Sequence, residues 1–197
     1  MSFTTQIEDR DATGATAEMY ASERERVGYL PRYAQTFGAR PAVYGAWRQL
    51  IGVVASSMPT RRFELVTLAA ARELRSTYCC VAHGAILAEK FLSADDVTQL
   101  AQGGLPDDLD EGERVIVAFA AKAARNAADI TAHDVEELRT HGLDDEEILD
   151  IVLATAARCF FSTVLEATGT QADAVYASRL EPAMRDALTV GRPIAPQ

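Results

Sequence analysis

Three residues in one short stretch have the types and spacing for thiol or proton-transfer chemistry: Glu64, Cys79 and His83. Ser76 reads as the N-cap of a helix that begins at Thr77, which makes Cys79 its third residue. A sulfur at that position lies near the unpaired N–H groups and the positive end of the helix dipole, an environment that favours thiolate over thiol. His83 follows one turn later on the same face, within reach to take the thiol proton or to pair with the thiolate. Glu64 falls on the preceding helix. An antiparallel hairpin would bring it beside His83, where it would orient the imidazole or relay a proton. The competing reading is bland: a Cys in an Ala-rich helix serves as a small buried side chain, and Glu64 is a solvated helix residue.

Helix punctuation is dense along the chain and strand alternation is hard to find. Residues 1–12 are polar and expected to be loosely held. Thr13 or Thr16 starts a short helix ending near Gly28, and 1–29 is read as an N-terminal extension. Leu30-Pro31 opens a helix with Tyr33 and Phe37 on one side, and Pro41 begins another that reaches about Ser56. Further helices are expected over 61–75, 77–91, 93–102, 110–126, from Thr131 to Gly142, over 145–167 behind an Asp144 cap, and as one element over 171–190. Residues 30–190 form the main domain and 191–197 a tail. Leu92-Ser-Ala-Asp-Asp-Val97 resembles Leu143-Asp-Asp-Glu-Glu-Ile148, a short repeat that suggests two similar helical hairpins packed together.

The composition supports this reading. The 197 residues are 48% hydrophobic but only 7% aromatic, and rich in Ala, which loses no side-chain entropy in a helix. A formal net charge of −10 repels phosphate backbones and anionic lipid surfaces, so nucleic-acid and membrane partners are not expected. Three cysteines do not make a secreted disulfide framework, and the first residues lack a basic n-region and an apolar h-region; the chain reads as cytoplasmic. The most apolar stretch, 148–165, carries Asp150 and Arg158, charges that a bilayer span tolerates poorly, so it reads as a buried helix. Trp47, Tyr33, Phe37 and Tyr44 serve as core or line a pocket. His133 and His141 flank a surface helix without metal-ligand spacing, and no metal or cofactor is expected.

The run from Glu64 to His83 resembles the signature of the carboxymuconolactone decarboxylase / alkylhydroperoxidase AhpD-like family: Glu, eleven residues, Cys-x-x-Cys, three residues, His. Glu64 matches the glutamate, Cys79 the second cysteine and His83 the histidine. Arg62-Phe-Glu-Leu-Val, Tyr78 before the cysteine, the Leu92 run, and Glu113 through Gly142 to about Gly169 are similar too, so the resemblance covers roughly 30–169. It implies an all-α fold, a helical bundle built from helical hairpins, that assembles into trimers or hexamers. It also implies hydroperoxide reduction through a cysteine pair, or, in the decarboxylase branch, acid–base work on a carboxylated muconolactone without that pair.

One departure bears on the chemistry. Ser76 stands where the family has its first cysteine. A thiolate that reduces a peroxide becomes a sulfenic acid, which another thiol must resolve. Ser76 can only support, by capping the helix or bonding to the Cys79 sulfur. Cys80 is a poor substitute, because adjacent Cα atoms are about 3.8 Å apart whereas disulfides usually need about 4.4–6.8 Å. Cys80 therefore reads as a core or interface residue, and Cys159, in the long apolar helix, reads as core, with an approach to Cys79 in space left open. The expectation is a thiol-dependent peroxidase-like enzyme with Cys79 as reactive thiol, His83 as base, Glu64 as orienting carboxylate, Ser76 and Tyr78 in support, and an external thiol as reductant. The alternatives are acid–base catalysis by Glu64 and His83 on a small carboxylated lactone, and a non-catalytic oligomer that binds a small ligand.

Overall fold

A computed structural model describes residues 2–196. Eleven α-helices run through the described residues, which contain no strand: α1 (Gly14–Val27), α2 (Arg32–Phe37), α3 (Pro41–Ser56), α4 (Thr60–Glu73), α5 (Thr77–Lys90), α6 (Ala94–Ala101), α7 (Glu111–Asn126), α8 (Ala132–Thr140), α9 (Asp145–Thr168), α10 (Val175–Arg179) and α11 (Pro182–Leu188). The all-α expectation therefore holds. Four helix starts carry reciprocal capping boxes: Ser93 with Asp96, Asp110 with Glu113, Thr131 with Asp134, and Asp144 with Glu147. The short repeat is a repeat of such a start, since it opens the eight-residue α6 and the 24-residue α9.

Helix α4 is the axis of the bundle. Every residue from Phe63 to Ala71 is buried, so it is covered on all sides, by α5, α7 and α9 among others. Its partner α9 is two-faced. Ile148, Ile151, Ala154, Ala157, Phe161 and Leu165 point into the core, while Leu149, Val152, Leu153 and Phe160 face outward. By length and mean hydropathy α9 would pass for a membrane span, yet half of its apolar window is buried inside the fold, as a core helix requires. Beside it α3 buries Tyr44, Trp47, Ile51 and Val54 and exposes Val43, Leu50 and Val53.

Two expectations need correction. Residues 171–190 form two short helices, because Pro182 forces the residue before it out of the helical region: Glu181 is extended at φ −59°, ψ 142°. The described N-terminal residues, expected to be loosely held, make contacts with the bundle. Phe3 N–H donates to the Thr168 carbonyl at 2.7 Å, and the Phe3 ring lies under the Arg192 guanidinium.

The turn from α4 to α5 sets the site. Leu74 N–H closes α4 on Ala70, Arg75 takes a left-handed φ of 52°, and Ser76 N–H reaches back to Ala71 O at 2.9 Å. The Arg75 carbonyl is thereby turned towards Gly191, where a Cβ would sit 2.0 Å from it. Only glycine fits there.

Candidate functional site

The hairpin does what its sequence suggested. Glu64 and His83, nineteen residues apart, meet: His83 Nδ1 lies 2.5 Å from Glu64 Oε2. A carboxylate can only accept, so Nδ1 carries the proton and Nε2 keeps its lone pair. Glu64 is 5% exposed, which rules out the solvated reading. Burial, followed by the Arg158 charge, pushes the His83 imidazole below its ordinary value, while Glu64 pulls the other way. The net direction keeps His83 neutral at pH 7, as a base must be.

Cys79 occupies the third position of α5 and is 2% exposed. Its hydrogen-bond partners come from α9. Arg158 Nη1 donates to Sγ at 3.4 Å and Ser162 Oγ at 3.3 Å. No hydrogen bond joins Cys79 and His83; instead both line one cavity of about 290 Å³. Ser76 is the N-cap by position, but its side chain neither caps α5 nor bonds to the sulfur. Its hydroxyl is fully buried next to the Glu166 carboxyl, which burial pushes up. Cys80 is also fully buried, and burial drives its thiol well above the usual range. Cys159 is partly exposed on α9, and all three cysteines are free.

Aromatic rings wall the cavity. Trp47 stacks on Phe161 with ring centroids 4.1 Å apart, and Tyr33 packs edge-on against Phe161 at 5.6 Å. Two buried carboxylates tether the tyrosines by their hydroxyls. Glu23 on α1 accepts from Tyr33 at 2.6 Å and from Tyr44 at 2.7 Å. Asp173 accepts from Tyr78, from Tyr29 at 3.1 Å and from the Arg32 N–H at 2.9 Å. With the hydroxyls tied back, the rings turn their apolar surfaces to the cavity. Burial pushes the Glu23 carboxyl up, but donation from Arg26, Tyr33 and Tyr44 outweighs this and leaves it below the usual range. For Asp173 burial prevails and the carboxyl is raised. Tyr176, also on the cavity wall, is pushed up by burial to about 12.

Sequence reasoning missed Arg158, Ser162, Glu23 and Asp173 as parts of this site. Arg158 alone left a signal, as a cation in the most apolar stretch of the chain. His133 and His141 are exposed and do not line the cavity. A second cavity of about 360 Å³ lies between α4 and α7, lined by Leu65, Leu68, Leu100 and Ala121, and holds neither thiol nor imidazole.

No protein-family model matches the chain, and no curated protein sequence matches it. Solved structures do. The alkylhydroperoxidase AhpD core protein from Ralstonia eutropha JMP134, described as an uncharacterized peroxidase-related protein, superposes with a TM-score of 0.79 at 22% identity, over 89% of this chain and 94% of that one. A peroxidase-related protein from Silicibacter sp. TM1040 gives 0.68 at 24% identity, over 88% and 90%. The debrominase Bmp8, with a cysteine replaced by alanine and in complex with 2,3,4-tribromopyrrole, gives 0.72 at 19% identity, over 95% and 98%. At these identities the likeness is one of architecture, and the chain has the all-helical fold of the AhpD core.

Proposed function

We propose that this protein is a one-cysteine, thiol-dependent peroxidase. The observation that carries the reading is the double donation from Arg158 and Ser162 to the Cys79 sulfur, in a cavity shared with the Glu64–His83 pair. A cation and a hydroxyl aimed at sulfur stabilise a thiolate, the form that attacks a peroxide. In the first step the Cys79 thiolate attacks the distal peroxide oxygen, the O–O bond breaks, and the alkoxide leaves. His83 Nε2, charged with the thiol proton, returns it to the leaving oxygen, and Cys79 is left as a sulfenic acid. Glu64 holds the imidazole in the tautomer that makes Nε2 the working atom.

Neither Ser76 nor Cys80 supplies a resolving thiol, so an external small thiol does. One small thiol forms a mixed disulfide with Cys79 and releases water. A second attacks the outer sulfur of that mixed disulfide, releases the Cys79 thiol, and leaves with the first as their disulfide. Peroxide is reduced to alcohol and water, and two external thiols are oxidised, so the cycle balances. The fold neighbours described as peroxidase-related support the same class of chemistry.

The test is turnover of cumene hydroperoxide and hydrogen peroxide with excess dithiothreitol, in wild type, Cys79→Ser and Glu64→Gln. Loss of turnover in Cys79→Ser, with a fall of about 10²–10⁴ for Glu64→Gln, supports the assignment. Unchanged turnover without Cys79 removes it. The 2.5 Å Glu64–His83 contact also favours a second reading, acid–base catalysis on a small carboxylated lactone with the thiol dispensable. Lactone turnover that survives complete alkylation would select it. Absence of turnover on both substrate classes would leave a non-catalytic ligand-binding oligomer.

A further inference from the structure

The charges that line the cavity are opposite in sign to those of the chain. Against a net charge of −10, its wall contains Arg26, Arg48, Arg158 and Arg179 and not one carboxylate. Two of these cations are committed elsewhere, Arg26 to Glu23 at 2.5 Å and Arg179 to Glu89 at 2.8 Å. The other two have no carboxylate partner among the described residues. Arg48 is half-buried on α3. Arg158 is 4% exposed, gives only Nη1 to Cys79, and leaves Nε with no hydrogen-bond partner at all.

A guanidinium withdrawn from water and left partly unbonded is costly, and the cost is recovered when an anion meets it in the same dry site. A single thiolate answers one N–H of a five-donor fork whose geometry matches a carboxylate. The rest of the wall specifies the body of the ligand. Tyr33, Trp47 and Phe161 offer ring surfaces, and a volume of about 290 Å³ admits one small ring with short substituents.

We propose that the cavity takes a small planar organic carboxylate, its charge held by the free part of the Arg158 guanidinium with Arg48 nearby, and its ring against Trp47, Tyr33 and Phe161. The proposal rests on the reading that this cavity is the substrate site, and it adds the substrate class: aromatic or conjugated acids bearing the reactive group, in preference to neutral alkyl hydroperoxides, which the same site turns over less efficiently. With Nη1 on sulfur, a carboxylate on the same guanidinium brings the ring's substituents next to Cys79.

The experiment uses the full reduced chain with benzoate, its neutral isostere benzamide, and acetate at matched ionic strength. Binding is read by calorimetry and by protection of Cys79 from iodoacetamide. Benzoate is expected to bind about tenfold or more tighter than benzamide and to slow alkylation, with acetate doing neither at the same concentration. Arg158→Met, checked for folding by circular dichroism, should bring benzoate down to the level of benzamide. Equal binding of benzoate and benzamide, no binding of either, or acetate matching benzoate would overturn the proposal, and none of these needs the variant to fold. Cumene hydroperoxide turnover that benzoate does not inhibit would also overturn it while leaving the peroxidase reading intact. Benzoate binding without any peroxide turnover would support it and remove the peroxidase reading instead.

Discussion

Replacing Arg158 with methionine should lower the reactivity of Cys79 and raise the thermal stability of the protein, two effects that rarely travel together. Arg158 is 96% shielded, donates to sulfur at 3.4 Å, and has an unbonded Nε. A hydrogen bond from a charged donor is worth about 1.5–3 kcal/mol, so its loss should slow iodoacetamide alkylation of Cys79 at pH 7 by roughly 10–100-fold. Ser162→Ala removes a neutral donor at 3.3 Å, worth about 1 kcal/mol, and should slow it about fivefold. Folding responds in the opposite sense. A buried cation without a carboxylate is a liability, and an apolar side chain of similar length removes its desolvation cost; a gain on the order of 1 kcal/mol would raise Tm by roughly 2–4 °C. Alkylation kinetics and thermal melts on the same preparations read both quantities. Unchanged alkylation in Arg158→Met, or a melt several degrees lower with alkylation intact, would refute the argument, because Arg158 would then be a structural residue.

His83 predicts an acid limb. Its folded-state value lies below the ordinary 6.5 through burial and the Arg158 charge, so the unfolded chain binds more protons in that window. The His83 contribution to stability is therefore complete above about pH 6.5 and is lost as pH falls through the folded value. Urea unfolding at pH 7.5 and 5 should show a smaller pH dependence in His83→Gln than in wild type, and equal dependence would contradict this sign. Gly191→Ala should cost about 2 kcal/mol, roughly 4–8 °C in Tm, since its Cβ would sit 2.0 Å from the Arg75 carbonyl oxygen; a melt unchanged within error would show that the turn yields. The outward apolar residues of α3 and α9, Val53 and Leu153 among them, should pair with another copy of the chain. Sedimentation should give a multiple of the monomer mass that falls in Val53→Glu or Leu153→Glu, whereas a wild-type monomer at tens of micromolar would refute it.

What the sequence disclosed was local, and what it withheld was distant. The caps at Ser93, Asp110, Thr131 and Asp144 follow from side chains that bond within three residues of their own backbone, so spacing alone gives them. The Glu64–His83 contact needed one further assumption, a tight antiparallel hairpin, and the turn at Arg75 supplies it. The partners of Cys79 lie 79 and 83 residues away on α9, and no period or spacing links them to α5. Ser76 shows the converse failure. Its position favours capping, yet its fully buried hydroxyl bonds neither to the first N–H groups of α5 nor to the Cys79 sulfur. The break at Pro182 was legible in principle, since the residue before a proline avoids the helical region.

Glu23 carries a consequence for how such a protein can diversify. Cys79, His83 and Glu64 all sit on the α4–α5 hairpin, while Tyr33 and Tyr44 on the cavity wall are tethered by a carboxylate on α1. The orientation of these tyrosines is thus set from outside the hairpin, while Arg158 and Phe161 on α9 serve the sulfur and the cavity wall. Changes confined to α1 around Glu23 would therefore re-aim Tyr33 and Tyr44 without touching the Glu64–His83 contact.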